Sequence, residues 1–169
     1  MKRTGWQKTW VRILTTALTI AMMAVIFGFS MENADRSNQT SEIFAGRLIS
    51  LFYPEYGTAD PVRQQEIYDT MQHTVRKCAH FTEYLLLGFL MRLCAESWAG
   101  HRIRKGAYLL LFSFLAGLAY ACTDEMHQLA VAGRSGQWTD VLVDCLGVLA
   151  GALLGTLAVR LISGRAGRR

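Results

Sequence analysis

Apolar residues along this chain fall in long blocks; they do not recur with the period of a half-buried helix or strand. Four blocks stand out: 11–31 (VRILTTALTIAMMAVIFGFSM), 79–95 (AHFTEYLLLGFLMRLCA), 106–133 (GAYLLLFSFLAGLAYACTDEMHQLAVAG) and 140–162 (DVLVDCLGVLAGALLGTLAVRLI). A helix needs about 20 mostly apolar residues to cross the hydrocarbon layer. The blocks meet that length, although the second is short and the fourth carries Asp144. The pattern predicts an all-α integral membrane bundle of four transmembrane helices. The first block also has the basic flank of a signal peptide, in Lys2, Arg3, Lys8 and Arg12. Its apolar part is long for that role and lacks a clear small-x-small cleavage site, so an uncleaved span is expected.

Between the first two blocks, residues 32–78 form the one sizeable extramembrane segment. Its opening, ENADRSNQTSE, reads as turn-like, with Ser41 as a helix cap. Ile43 and Phe44 recur with Leu48, Leu51 and Phe52 at spacings of three and four, which predicts a short amphipathic helix lying on the membrane or plugging the bundle. Pro54 and Gly57 end it. A second helix is expected from Asp60-Pro61, with Ile67, Met71 and Val75 as its apolar stripe. These helices are either lids or docking elements, or simple ties between the first and second spans.

Charge adds an orientation. The basic residues at 2, 3, 8, 12, 92, 102, 104, 105, 160, 165, 168 and 169 lie on one side of a four-span arrangement, with Glu96 as the single acid there. The other side holds the remaining six bases and twelve of the thirteen acids. An excess of Lys and Arg marks the cytoplasmic face, so both termini are expected in the cytoplasm. The organisation is then a cytoplasmic N-terminus at 1–10, a first span at 11–31, an extracytoplasmic segment at 32–78, a three-span region at 79–162 and a basic cytoplasmic tail at 163–169. The formal charge of +5 is a topology signal that suits anionic lipid head groups, and no nucleic-acid partner is expected.

Polar residues gather at the outer ends of three blocks. In RKCAHFTEYLLLGFL (76–90), His80, Glu83 and Tyr84 share one helical face beside Leu87. In TDEMHQ, Asp124 and Gln128 are one turn apart next to Glu125, while His127 points elsewhere. In GRSGQWTDVLVD, Arg134 stands in the outer turn, and Asp140 and Asp144 are one turn apart where the fourth block enters the membrane. Ionisable groups at membrane depth are costly and mark functional sites by default. Together with Lys77, they form either a polar pocket or a network in which His80, Arg134 and Lys77 neutralise Glu83, Asp124 and Asp144. Gly147, Gly151 and Gly155 recur every four residues, a flat stripe for close helix packing within one chain or between copies. Cys78, Cys94, Cys122 and Cys145 show no ligand spacing and read as small buried hydrophobes. No metal site is expected, and the residues name no cofactor.

Lys77-x-x-His80-Phe81-x-x-Tyr84-x-x-Leu87, Asp124-Glu125-x-x-Gln128, Gly133-Arg134-Ser135 and Asp140-Val141-x-x-Asp144-x-x-Gly147-x-x-x-Gly151, in that order, resemble the VanZ-like family of small bacterial membrane proteins. The resemblance covers about 75–155 and leaves the segment 32–74 outside. It implies a multi-pass protein of the bacterial cell membrane, in a family whose eponymous member is associated with teicoplanin resistance and whose biochemical activity is not settled. It also implies a shared polar set of Lys77, His80, Tyr84, Asp124, Gln128, Arg134, Asp140 and Asp144. Asp144 stands where such sequences often carry asparagine.

Several functions fit this pattern. One is binding of an envelope amphiphile at the outer leaflet, such as an anionic polyprenyl phosphate, a glycolipid or a cell-wall precursor. Arg134, Lys77 and protonated His80 would then meet an anionic head group, and Asp124, Glu125 and Gln128 its sugar or peptide groups. Another is an enzyme acting on such a lipid, with His80 as general base oriented by Glu83 or Asp124. No nucleophile or metal motif accompanies it. Proton-coupled transport, and a structural or assembly role with a second copy or a membrane partner, complete the set.

Overall fold

The structure is a computed structural model that describes residue 6 and residues 8–31, 34–99, 106–131 and 138–166, with backbone alone for 34–40 and 164–166. Among the described residues the elements are α1 (Thr9–Ser30), α2 (Ala34–Phe52), a short 3-10 helix (Pro54–Thr58), α3 (Pro61–Trp98), α4 (Gly106–Gln128) and α5 (Trp138–Ala166). The helical class read from the sequence holds.

The number of spans does not. Among the described residues three helices, not four, are long and apolar enough to cross a membrane: α1, α4 and residues Trp138–Ser163 of α5. The expected second span, 79–95, is no separate helix but the C-terminal half of the 38-residue α3, where His80, Glu83 and Arg92 interrupt the apolar run. The cause lies in its neighbours. α3 packs most extensively on α5 and also touches α1, α2 and α4, so its side chains match protein partners and need not match lipid. The faces of α1, α4 and α5 turned away from α3 expose Leu14, Leu18, Leu111, Phe112, Leu115, Leu142, Leu146 and Leu153, an apolar surface suited to hydrocarbon. The protein is a multi-pass membrane protein.

α1 runs antiparallel to α3 and α5. Near the start of α1, Arg12 Nε donates to the Ser97 carbonyl at 2.9 Å and the Arg12 guanidinium lies 5.2 Å from the Trp98 ring centre. At the same end of the bundle, Arg92 Nε donates to Thr156 Oγ1 of α5 at 3.0 Å and Arg92 Nη1 to Glu96 at 2.9 Å. The start of α1, the end of α3 and the end of α5 therefore share one end. Arg92, counted from sequence among the loop-side bases, is 2% exposed: Thr156 and Glu96 accept from its Nε and Nη1 inside the bundle, so hydropathy alone misplaces it.

The outer segment departs from expectation at its beginning. α2 starts at Ala34, ahead of the expected cap, and Ser41 is a buried mid-helix residue. Ser41, Ala45 and Ile49 form the buried stripe, whereas Ile43, Phe44, Leu51 and Phe52 are exposed. Small residues let α2 approach its neighbour α3 closely, which turns the larger side chains outward. The second expectation holds: the Asp60 side chain accepts from the Val62 and Arg63 amides, both at 3.1 Å, and Pro61 occupies the first turn of α3.

Candidate functional site

At the other end of the bundle four helices converge on the polar residues singled out from the sequence. α3 presents Lys77, His80 and Tyr84, α4 presents Asp124 and Gln128, and α5 presents Asp140 and Asp144. The fourth contributor is Ser30 at the end of α1. Its hydroxyl donates to Asp124 Oδ1 at 2.6 Å, and Gln128 Nε2 donates to Asp124 Oδ2 at 3.2 Å. Sequence reasoning overlooked Ser30; its place at the outer end of the first apolar block, level with Asp124, was the available signal.

The ion pairs match the expected network only in part. Lys77 pairs with Asp140 in the first turn of α5 and also donates to Thr139 Oγ1 at 3.3 Å. His80 Nδ1 lies 3.3 Å from Asp144 Oδ1, so Asp144, and neither Glu83 nor Asp124, is the carboxylate that contacts the ring. The pair is unequal in depth, with side-chain exposure of 13% for His80 and 1% for Asp144. Glu83 is half-buried and within electrostatic range of His80, and Glu125 is buried beside Asp124. Arg134 lies outside the described residues.

Two buried groups here are poorly served. Neither oxygen of Asp144 accepts a hydrogen bond of good geometry, and the fully buried Tyr84 hydroxyl faces Asp124 without a bond of good geometry. Tyr84 is flanked by Tyr120, with ring centres 6.3 Å apart, and the Tyr120 hydroxyl donates to the Met23 carbonyl at 2.6 Å. Among the described residues no group of three His, Cys, Asp or Glu side chains is placed to hold a metal ion. Along α3, an open groove of about 380 Å³ is lined by His73, Thr74, Lys77, Cys78, Phe81 and Thr82.

The glycine stripe holds this geometry. A Cβ on Gly147 would lie 2.6 Å from the Phe81 carbonyl oxygen and 3.1 Å from Tyr84 Cβ, and one on Gly155 would lie 3.0 Å from Arg92 Cβ. The stripe therefore joins α5 to α3 within one chain. It sets Asp140 and Asp144 against Lys77 and His80 on the same pair of helices.

Compared with curated proteins and with solved structures, the chain has no match. The family model described as VanZ/LLP1 matches residues 15–159. That range takes in α1, which supplies Ser30, and the segment 32–74, which the motif resemblance left outside. The helices that build the polar end are thus all covered, and the chain belongs to the VanZ/LLP1 family.

Proposed function

We propose that this protein binds the polar head of a bacterial envelope amphiphile, a polyprenyl lipid, glycolipid or cell-wall precursor, at the end of the bundle carrying His80, Asp124 and Asp144. One observation carries the reading: the Asp144 carboxylate is buried with, among the described residues, the His80 ring at 3.3 Å as its one close polar contact and no well-formed hydrogen bond on either oxygen, which is costly unless something else supplies further donors. The exposed apolar faces beside it would take the lipid tails, and the groove next to Lys77 offers an approach from the membrane side.

The orientation argued from charge belongs to the same reading. The start of α1 and the ends of α3 and α5 share one bundle end, and even without the buried Arg92 the sequence segments leading to it carry the basic excess. That end faces the cytoplasm by the positive-inside tendency, and the His80–Asp144 end faces the outer leaflet.

Native mass spectrometry with lipid identification tests the binding. The wild type should retain one envelope lipid above its share in the membrane, and Tyr84→Phe should retain less. Bulk lipids in unchanged proportions on both would leave a structural or assembly role. Glycopeptide susceptibility of a deletion strain tests the link to drug tolerance separately.

The His80–Asp144 contact also favours a second reading, an intramembrane enzyme on a lipid-linked or phosphorylated envelope substrate. A carboxylate at one ring nitrogen orients the other as a general base. Turnover of extracted envelope lipids by the wild type, absent in His80→Gln, would select this reading.

A further inference from the structure

We infer that two copies of this chain pair side by side in the membrane through α2, with Phe44, Leu48 and Leu51 as the seam. The surface lies away from the polar end, and the pairing does not depend on what that end binds. Length is the first argument. α3 and α5 run parallel, and α5 begins at Trp138, two residues ahead of the Asp140 that pairs with Lys77. The part of α3 from Pro61 to residue 74 therefore extends past the start of α5 by about 20 Å, at 1.5 Å per residue. No Pro or Gly interrupts α3 between Val62 and Leu87, so nothing there kinks it. This part leaves the membrane along the direction of the bundle, and α2 packs back along it as a hairpin joined by the short 3-10 helix.

Height follows from the pairing of the two helices. Tyr68 of α3 faces Glu42 of α2, about 14 Å outward of Lys77. Because α2 is antiparallel to α3, its later residues stand farther out still. Phe44, Leu48 and Leu51 then lie roughly 15–30 Å beyond Lys77, where hydrocarbon does not reach.

An arm in water should bury its large apolar side chains and expose its small ones. This arm does the reverse: Ser41, Ala45 and Ile49 face inward, while Phe44 is 55%, Leu51 69% and Phe52 65% exposed. Leu48 is half-buried between them. Phe44, Leu48 and Leu51 recur at spacings of four and three, the seam of paired helices, and no charge interrupts them.

A second copy fits this face by area and by geometry. At about 200 Å² per large side chain, the exposed parts of Ile43, Phe44, Leu51 and Phe52 amount to roughly 500 Å². Two copies bring about 1,000 Å² together, the lower bound of a specific interface. Copies held in one membrane share an orientation, so a two-fold axis along the membrane normal sets α2 beside its own equivalent. Confinement raises their effective concentration, and an interface of modest size then suffices.

The test uses the full chain, with its four cysteines replaced, in liposomes at low protein density. Under copper-catalysed air oxidation Leu51→Cys should give a disulfide-linked dimer, because a seam position meets itself across the two-fold axis at the separation a disulfide needs. Asp69→Cys, exposed on α3, should cross-link about tenfold less. Adding Phe44→Glu to Leu51→Cys should lower the linked fraction about tenfold and leave the helix content by circular dichroism unchanged. Equal cross-linking at positions 51 and 69 would overturn the pairing, as would a wild type that shows no energy transfer between labelled copies. Linking unaffected by Phe44→Glu would remove the seam. A nitroxide on Leu51→Cys relaxed by oxygen and not by a nickel chelate would put α2 in hydrocarbon and replace the second copy with lipid.

Discussion

Gly151 of α5 rests against the Leu85 carbonyl oxygen of α3 so closely that no Cβ fits between them. Gly151→Ala should therefore force the two helices apart and cost about 1–3 kcal/mol, the usual range for overpacking. Gly46→Ala in α2, where a Cβ meets open space, should be neutral or stabilise by up to about 1 kcal/mol. Thermal unfolding in detergent separates the two. Equal melting points for both variants would mean that the stripe is not a packing contact.

Arg92 is a second anchor of the same helix pair. Arg92→Ala should destabilise by roughly 3 kcal/mol, the low end for breaking a buried pair, because Glu96 is partly exposed and can turn to water. Arg92→Lys should recover little, since the Nε bond to Thr156 and the Nη1 bond to Glu96 need a planar fork. Full recovery by lysine in a melting assay would show that charge alone matters at this position.

Ser30→Ala removes a donor from the buried Asp124 and should cost about 1–3 kcal/mol. A direct link from α1 to α4 would also be lost. If Ser30 serves the site as well as the fold, retention of the bound lipid should drop further than in Thr19→Ala, which breaks only a bond within α1. Native mass spectrometry of the two variants checks this, and equal retention would confine Ser30 to packing.

Asp60→Ala removes the cap of α3. The expected loss is about 1 kcal/mol, felt locally at the amides of Val62 and Arg63. Hydrogen exchange should speed up in that first turn with little change in the melting of the bundle. Unchanged exchange there would show that Pro61 alone sets the start of the helix.

The orientation is open to labelling. With all four cysteines replaced, Arg134→Cys should react in intact cells with a membrane-impermeant maleimide. Labelling from the cytoplasmic side alone would reverse the assignment.

The residues that mark the family were readable one helix at a time. His80 and Tyr84, Asp124 and Gln128, and Asp140 and Asp144 each sit at helical spacing, and that local periodicity needs no partner to be recognised. The same holds for Asp60-Pro61, because capping is a matter of the nearest few residues. The apolar blocks announced a membrane protein, since hydrocarbon imposes length and composition on whatever faces it. Tertiary structure alone decided how these pieces meet. It made 79–95 part of a 38-residue helix surrounded by others, where a neighbour's hydroxyl or carbonyl replaces the need for an apolar side chain. Burying Arg92, drawing in Ser30 and matching His80 to Asp144 are also its work, because a charge in a bundle is stabilised by groups distant in sequence. A sequence lists those groups without their distances, and in a low-dielectric interior a few ångströms separate a pair from two unrelated charges.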